Sequence, residues 1–301
     1  MTALRFPRRP FRSTPSPELY VPTPAHSATL QSLVTAVTAD DGPVLLTGDA
    51  GTGKTMLALR LMVNLSETWT PVLLPTARFQ TPAELHQAIL FDLSQPYQGL
   101  TEQELRLTVT EQLLNLAASN HRALLVLDEA HTLGDGALQE LRHFDNLTLH
   151  GEHAAALLLV GLPSIQQRLS LEQRLAITIQ INALTESDAT LFLKSQAASG
   201  EVEFDDEALS VIVSASHGNP RLLNRLAAAS LAMSLDAGET MIDVEAALAA
   251  VELHSSAVPA QPAHLPLAAE SPGKARSNTA MGHHPAPHQT PKQKARKRKA
   301  A

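Results

Sequence analysis

The sequence predicts an α/β fold, in which helices cover both faces of a parallel β-sheet and a smaller helical domain follows. Three observations predict it. Short apolar runs alternate with stretches of helical periodicity up to residue 182, which is the pattern of strand–helix–strand units. A glycine-rich segment, residues 48–55, joins the first apolar run to a helix. From Ala183 onward the apolar runs stop and four helical patterns follow.

The glycine-rich segment fits the phosphate-binding pattern G-x-x-x-x-G-K-[ST], the P-loop. It consists of Gly48, Asp49, Ala50, Gly51, Thr52, Gly53, Lys54 and Thr55. Glycines allow the backbone to bend around an anion so that N–H groups point inward, and the following helix adds the positive end of its dipole. We expect Lys54 to reach the β- and γ-phosphates of ATP and the Thr55 hydroxyl to hold Mg²⁺.

Apolar runs and capping residues predict the order of elements along the chain. Ser27 is expected to cap the first helix. Thr81 and Thr101 each precede a helical pattern and have a Glu three residues later, which is the signature of a capping box. The predicted strands are Val44–Leu46, Val72–Leu74, Ala123–Leu127, Ala154–Val160 and Ala176–Ile181. The predicted helices include Ala28–Thr38, Met56–Leu65, Ala137–Phe144, Glu186–Ala198, Asp205–Ser216, Pro220–Ser234 and Asp243–Leu253.

Composition divides the chain into four parts. Residues 1–25 are expected to form an extended surface segment, residues 26–182 the P-loop domain, and residues 183–253 the helical domain. Residues 254–301 form a tail rich in Pro, Ala, Ser and His. This tail cannot bury enough apolar surface to offset the entropy of ordering, so we expect it to be disordered. From Ser255 onward it carries eight Lys or Arg residues against one acid, although the whole chain has a net charge of −7.

Composition also excludes several kinds of site. The chain has no cysteine, which excludes disulfides and cysteine-ligated metal sites and is compatible with a reducing cytosol. No apolar run approaches the roughly 20 residues of a membrane-spanning helix. The N-terminal residues lack the apolar core of a signal peptide. We therefore expect a cytoplasmic protein without a membrane span, for which partners would have to provide any contact with the inner membrane.

A pair of acids follows the most apolar predicted strand. Asp128 and Glu129 come directly after Ala123–Leu127, at the carboxyl end of a strand, where parallel sheets place their ligand-binding groups. Asp128 is expected to hold Mg²⁺ together with Thr55, and Glu129 to polarise the water that attacks the γ-phosphate. The letters DEAH that begin here also match a helicase motif, but too little chain remains for a second RecA-like domain. His131 is therefore interpreted as a polar residue after the acid pair.

Two arginines outside the P-loop are candidates for neutralising the phosphate charge that the P-loop leaves uncompensated. Arg174 lies just before the fifth predicted strand. Arg221 lies at the start of a helix in the helical domain, where Pro220 fixes the first turn. From the residues alone, each arginine could equally be an ordinary surface residue.

With these motifs in place, the chain resembles the AAA+ ATPases of the general secretion pathway protein A (ExeA-like) group and the related transposition-helper ATPases. The resemblance covers about residues 5–253. It is carried by the stretches PSPELY from Pro15, GDAGTGKT from Gly48, LVLDEAHTL from Leu125, LQELRHFDNL from Leu138, LLLVGLPSI from Leu157 and SHGNPRLLNRL from Ser216.

The resemblance implies a three-layer αβα P-loop NTPase domain with strand order 5-1-4-3-2 and a helical AAA+ lid, with ATP between the two. It implies a homo-oligomer that forms on ATP binding, in which a neighbouring subunit contributes an arginine. Arg174 matches this finger position, and Arg221 matches the sensor-2 position on the lid. The chain departs from the group at Leu162, where a polar sensor-1 side chain often sits; Ser164 is the nearest substitute.

Three functions remain open. The first is an ATP-hydrolysing AAA+ motor or switch of the secretion- or pilus-associated type, acting on an unidentified protein client. The second is a DNA-associated ATPase of the transposition-helper type, in which the basic run Lys292–Lys299 contacts phosphates without reading sequence; otherwise that run is only a solvated tail. The third is a nucleotide-gated scaffold that does not hydrolyse ATP, which the apolar residue Leu162 motivates.

Overall fold

A five-stranded parallel sheet forms the centre of the protein, as seen in a computed structural model that describes residues 10–12, 14, 15, 17–172 and 177–257. Its strands are β1 (Val44–Thr47), β2 (Trp69–Leu74), β3 (Arg122–Leu127), β4 (Ala155–Gly161) and β5 (Ile177–Gln180). Their spatial order is β2-β3-β4-β1-β5, and all neighbouring strands are parallel. The predicted α/β P-loop fold and the strand order 5-1-4-3-2 are therefore confirmed.

The strands end level with one another at one edge of the sheet. Leu159 of β4 lies opposite Leu45 of β1 on one side and Leu127 of β3 on the other. Because the strands are parallel and in this register, the segments that follow β1 and β3 leave the sheet side by side. This edge therefore brings the P-loop, residues 48–55, next to the acid pair that follows β3.

Helices cover both faces of the sheet. One face packs on α1 (Pro24–Ala39) and α2 (Lys54–Asn64), and the other on α3 (Pro82–Asp92), α4 (Glu102–Ala118), α5 (Asp135–Asp145) and α6 (Ile165–Glu172). Along β3, Leu124 and Val126 pack on the face covered by α1 and α2, whereas Leu125 and Leu127 pack on the opposite face. This alternation is the period of two that a strand buried on both faces requires.

Capping residues set where three of these helices begin. Thr81 and Thr101 form capping boxes at the starts of α3 and α4, so these two predictions are confirmed. The prediction for α1 is wrong, because its N-cap is Thr23 instead of Ser27, and the Thr23 side chain accepts the backbone N–H of His26 at 3.3 Å. Pro24 occupies the first helical position, where its fixed φ suits a helix and its missing N–H costs nothing.

The C-terminal helices form the helical region, residues 183–257, around a separate hydrophobic cluster. They are α7 (Glu186–Ser199), α8 (Asp206–Ser216), α9 (Pro220–Asp236) and α10 (Val244–Ala257). The prediction that strands stop at Ala183 is wrong, because Glu203–Phe204 pairs in parallel with Met241–Ile242. Two-residue strands are too short to produce a periodic pattern. Residues 254–257 belong to α10, so the expectation of a disordered tail from residue 254 is also wrong there.

The N-terminal segment, described at residues 10–12, 14, 15 and 17–23, is packed against the helical region and is not only a surface feature. Phe11 is 3% exposed and Val21 is 8% exposed, and both belong to the hydrophobic cluster of that region. The Phe11 ring lies edge-on to Phe204, with ring centroids 5.7 Å apart. Single apolar residues in a Pro- and Arg-rich stretch therefore anchor it, which its average composition concealed.

Several elements of the structure were not predicted from the sequence, and part of one prediction is not covered by the structure. The sequence did not predict α6, the 3-10 helix Pro17–Leu19, or the antiparallel pair of Thr148–Leu149 with Glu152–His153. The rest of the predicted tail, residues 258–301, lies outside the described residues. Within the described ranges, no helix combines the length and apolar character that crossing a bilayer requires.

A buried histidine joins α3, α4 and α5. The His86 side chain is fully buried, and its Nε2 lies 3.2 Å from Glu140 Oε1 on α5. Arg106 Nε on α4 lies 3.0 Å from the same carboxylate oxygen. His86 Nδ1 is buried without a hydrogen-bond partner. Burial lowers the pKa of His86, whereas Glu140 acts in the opposite direction.

We predict that this histidine makes the protein less stable in mild acid. Because the folded pKa of His86 is lowered, the unfolded chain binds more protons as pH falls below about 6.5. The free energy of unfolding should then fall by at most about 1.4 kcal/mol for each pH unit, until the folded pKa is reached. His86→Gln, which keeps a donor for Glu140 but does not titrate, should lose less stability than the wild type between pH 8 and about 5.5.

Urea denaturation at both pH values measures this difference. The exposed residue His121 provides the control, since His121→Gln should lose as much stability as the wild type. An equal loss in His86→Gln and the wild type would contradict the prediction.

Candidate functional site

The P-loop joins β1 to α2 and encloses Lys54. Lys54 is only 8% exposed, and its Nζ donates to the carbonyl oxygens of Gly48 at 2.9 Å and Asp49 at 2.7 Å. Burial lowers the pKa of Lys54, and the nearby carboxylates of Asp128 and Glu129 act in the opposite direction. The ammonium group is thus held inside the loop that a phosphate would enter.

Two glycines and a histidine shape the loop. Gly51 has φ 85° and Gly53 has φ 99°, which is the left-handed region that glycine adopts without strain. His26 on α1 supports the loop from outside, because its Nε2 lies 3.3 Å from the carbonyl oxygen of Thr52. Burial lowers the pKa of His26, and this contact with Thr52 acts in the opposite direction. No sequence motif pointed to His26.

Thr55 and Asp128 meet at the carboxyl edge of the sheet. The Thr55 hydroxyl donates to Asp128 Oδ2 at 2.6 Å. Asp128 is 5% exposed, and its Oδ1 accepts the backbone N–H of Glu129 at 2.8 Å. The interpretation from sequence required the P-loop and the acid pair to lie within reach of one metal ion, and the structure brings them into hydrogen-bond contact.

The oxygens at this contact fit Mg²⁺. A hydroxyl and a carboxylate are hard oxygen ligands, and Mg²⁺ in phosphate sites takes one or two carboxylates together with water and phosphate oxygens. Among the described residues, no group of three or more His, Asp or Glu side chains is arranged to hold a metal ion. Thr55 and Asp128 would therefore hold Mg²⁺ together with the phosphates of a nucleotide.

Glu129 is the more exposed member of the acid pair, and it lies beside His131. The Glu129 side chain is 52% exposed, and its Oε2 lies 3.5 Å from His131 Nε2. Its backbone has φ 55°, an uncommon value for a residue other than glycine. Leu162, the predicted departure from the group, is half-buried, and Ser164 is exposed.

The first turn of α9 packs directly on the P-loop. The Asn219 side chain donates through Nδ2 to the Ala50 carbonyl oxygen at 2.8 Å. The backbone N–H of Arg221 donates to the Gly51 carbonyl oxygen at 3.3 Å. The structure thus places Arg221 at the site, whereas Arg174 lies outside the described residues.

A cavity of about 240 Å³ lies between the P-loop, the N-terminal segment and the helical region. Lys54, Thr55, Glu129 and Arg221 contribute polar groups to its lining, and Leu19, Tyr20, Val21 and Phe192 contribute apolar surface. Charged groups and apolar surface in one cavity fit a ligand that carries both phosphates and a flat base. The sequence did not predict that the N-terminal segment contributes to the cavity wall.

Two buried amides hold the N-terminal segment in place at the wall of the cavity. Asn224 of α9 donates through Nδ2 to the Arg12 carbonyl oxygen at 2.9 Å. Gln196 of α7 donates through Nε2 to the Leu19 carbonyl oxygen at 3.1 Å. These bonds satisfy backbone carbonyls of the N-terminal segment, so the helical region and this segment form one side of the cavity.

Comparison with known proteins agrees with this site. Residues 37–169 match the family described as AAA domain (AAA_22). General secretion pathway protein A of Aeromonas hydrophila is 28% identical over 256 residues, which are 81% of this chain and 46% of that protein. The chain thus spans less than half the length of this relative. These matches confirm the resemblance to AAA+ ATPases of the general secretion pathway protein A group.

Solved structures share the fold. The ORC2 protein of Aeropyrum pernix, in complexes with ADPNP and ADP, has a TM-score of 0.62 at 16% identity, covering 78% of this chain and 68% of that one. The ORC1 protein of Aeropyrum pernix, in complex with DNA, has a TM-score of 0.61 at 18% identity, covering 78% and 67%. At these identities the similarity shows the fold alone, an AAA+ P-loop fold with a C-terminal helical region.

We predict that Gly51→Ala weakens nucleotide binding beyond its cost in stability. An added Cβ would lie 2.5 Å from Asn219 Oδ1, so either the Asn219 side chain must leave its contact with the Ala50 carbonyl oxygen or the first turn of α9 must shift. Gly99→Ala is the matched control, because Gly99 also has a positive φ, of 77°, but its Cβ would meet nothing within 4 Å. Each variant should lose about 1 kcal/mol of stability from the left-handed backbone.

Only Gly51→Ala should bind nucleotide more weakly, by about tenfold, as expected for the loss of contacts worth one good hydrogen bond. Titration with a fluorescent ATP analogue and thermal denaturation measure the two effects. Equal nucleotide affinity in Gly51→Ala and Gly99→Ala would show that the contact between α9 and the P-loop does not matter for binding.

Proposed function

We propose that this protein binds ATP with Mg²⁺, hydrolyses it, and acts as an oligomeric AAA+ motor or switch of the secretion- or pilus-associated type. The observation that carries the proposal is the 2.6 Å contact between Thr55 and Asp128. It joins the P-loop to the acid pair at a cavity that Lys54 and Glu129 also line. The similarity to general secretion pathway protein A supports the secretion-associated type.

The residues of the P-loop bind and orient the phosphates. Lys54 Nζ donates to two neutral carbonyl oxygens of the loop, and a phosphate oxygen is a stronger, charged acceptor for it. The N-terminus of α2 and the backbone N–H groups of the loop add partial positive charge. Arg221 supplies a further positive charge from the helical region. When bound, Mg²⁺ neutralises charge on the phosphate oxygens.

Hydrolysis requires a water held in line with the γ-phosphate. Its oxygen bonds to the γ-phosphorus, the bond to the β–γ bridging oxygen breaks with its electron pair remaining on ADP, and the water proton passes to Glu129. Glu129 suits this role because its carboxylate faces the cavity side of the acid pair and is half exposed. ADP and inorganic phosphate are the products.

The oligomeric part of the proposal rests on the AAA+ resemblance. In such an assembly Arg174 would reach the nucleotide of a neighbouring subunit, and the client would be another protein. The alternative of a scaffold that binds ATP without hydrolysing it is separated by turnover, measured with and without candidate partners. Absence of turnover in both conditions would favour the scaffold.

We predict that two substitutions at the site separate ATP binding from ATP turnover. Lys54→Ala should abolish ATP binding, because it removes the cation held inside the loop. Glu129→Gln should bind ATP within about twofold of the wild type and lose turnover by about 100-fold or more, since it removes only the proton acceptor. Isothermal titration and phosphate release measure the two quantities.

The matched control is Glu111→Gln, which removes the same charge from an exposed position on α4 and should leave both quantities unchanged. Light scattering of Glu129→Gln with and without ATP tests the expected assembly. Turnover of Glu129→Gln at the wild-type rate would exclude the proposed role of this residue.

A second candidate function is ATP-dependent association with DNA. The basic run Lys292–Lys299 favours it, because six of its eight residues are Lys or Arg. A protein of the same fold, the ORC1 protein, has been solved in complex with DNA. Such a run binds phosphates non-specifically, with an affinity that falls steeply with salt.

We predict that removing residues 290–301 abolishes DNA binding if this function is correct. The logarithm of affinity should fall with the logarithm of salt concentration with a slope of up to about −5, as six phosphate contacts imply. A chain of full length with the six basic residues replaced by Gln separates charge from length and should behave like the truncation. Absence of DNA binding at low salt in the intact protein would eliminate this function.

A further inference from the structure

The end of β4 lies between the two halves of the candidate site but offers no polar side chain to it. β4 is the neighbour of β1 on one side and of β3 on the other, so the P-loop and the acid pair flank its carboxyl end. Every residue of β4 is buried, and the next residue, Leu162, lines the cavity. The end of β4 therefore supplies no polar side chain to the cavity between the P-loop and the acid pair.

The His131 ring lies at this same point, although it belongs to the turn that follows β3. A Cβ on Gly161, the last residue of β4, would lie 3.5 Å from His131 Nδ1 and 3.3 Å from its backbone nitrogen. The ring therefore packs over the end of β4, in space that the absence of a side chain at Gly161 leaves open. His131 also lines the cavity beside Leu162.

The turn that carries His131 is held from two sides. Arg168 of α6 donates to the carbonyl oxygens of His131 at 3.3 Å and Leu133 at 2.8 Å. The Thr132 hydroxyl lies 2.9 Å from the Ala77 carbonyl oxygen. With its backbone fixed in this way, the His131 side chain has a defined position relative to the acid pair.

The polar contact of the ring within the described part of the chain is to Glu129. His131 Nε2 lies 3.5 Å from Glu129 Oε2, and the His131 side chain is 20% exposed. Its Nδ1 is buried without a hydrogen-bond partner, so Nε2 is the nitrogen that can act at the site. A contact of this length is typical of catalytic groups without substrate, which tighten when the substrate is bound.

We propose that His131 is a positioning residue, which holds the Glu129 carboxylate towards the attacking water and takes the place of the missing polar side chain at residue 162. This inference rests on the proposed ATP hydrolysis. His131 donates from Nε2 to one oxygen of Glu129, which leaves the other oxygen to accept the water proton. Neither proton transfer nor phosphate binding is assigned to the histidine itself.

The experiment compares ATP affinity, kcat and KM for the intact protein and its variants. His131→Ala should lower kcat by about 10- to 100-fold, because a displaced catalytic group costs that much, and should leave ATP affinity within about twofold. His131→Gln, whose amide can donate to Glu129, should recover most of the lost kcat. His143→Ala, a half-buried histidine outside the site, should leave kcat unchanged.

Two further variants distinguish positioning from a merely structural role. Adding His131→Ala to Glu129→Gln should cause no further loss, because the histidine acts through Glu129. Adding Leu162→Asn to His131→Ala should restore part of kcat, because it places a polar group at the end of β4. His131→Leu keeps the packing against Gly161 and replaces the alanine variant if that one does not fold.

The outcomes separate this inference from the proposed function. If the wild-type protein does not hydrolyse ATP, the proposed function fails. If the wild type hydrolyses ATP and His131→Ala or His131→Leu retains kcat within twofold, the inference alone is overturned. Losses that multiply in the double variant with Glu129→Gln would overturn it as well.

Discussion

The hydrogen bond between Thr55 and Asp128 is the contact on which the candidate site depends. It joins two segments 73 residues apart in the chain at 2.6 Å. It exists because β1 and β3 both pair in parallel with β4, and because Leu45 and Leu127 lie opposite the same residue, Leu159. A slip of one residue in β3 would turn its alternate side chains to the opposite face and carry Asp128 away from the P-loop. The buried aliphatic faces of the sheet, which specify this register, therefore also specify the position of the acid pair.

The helical region completes the cavity from the other side, and the same packing that stabilises it shapes the ligand site. Phe11 and Val21 share one hydrophobic cluster with α7 and α9, so the N-terminal segment is held against two helices that line the cavity. The first turn of α9 contacts the P-loop through Asn219. A movement of α9 must therefore change both its contact with the P-loop and the wall of the cavity, because this one helix contributes to both.

Short sequence patterns predicted the features that depend on residues close together in the chain. The P-loop and the capping boxes at Thr81 and Thr101 depend on residue types at fixed spacing, so the sequence was sufficient for them. The order of the strands came from resemblance, because no local pattern specifies which strands are neighbours. The contacts of His26 with Thr52 and of Asn219 with Ala50 span 26 and 169 residues, and periodicity does not encode such distances. The α1 cap was mistaken because two hydroxyl residues compete for it, and Pro24 was the signal that favoured Thr23.

The position of Leu162 illustrates why a missing motif residue does not decide function. In the sequence, Leu162 stands where a polar residue is expected after β4. Its apolar side chain favours a scaffold that does not hydrolyse ATP. In three dimensions, His131 reaches the end of β4 from the neighbouring strand's turn, with its Nδ1 near the position of a Cβ on Gly161. Catalysis depends on where a donor lies relative to the carboxylate, whichever segment supplies it. The apolar residue at 162 therefore does not by itself exclude the proposed hydrolysis.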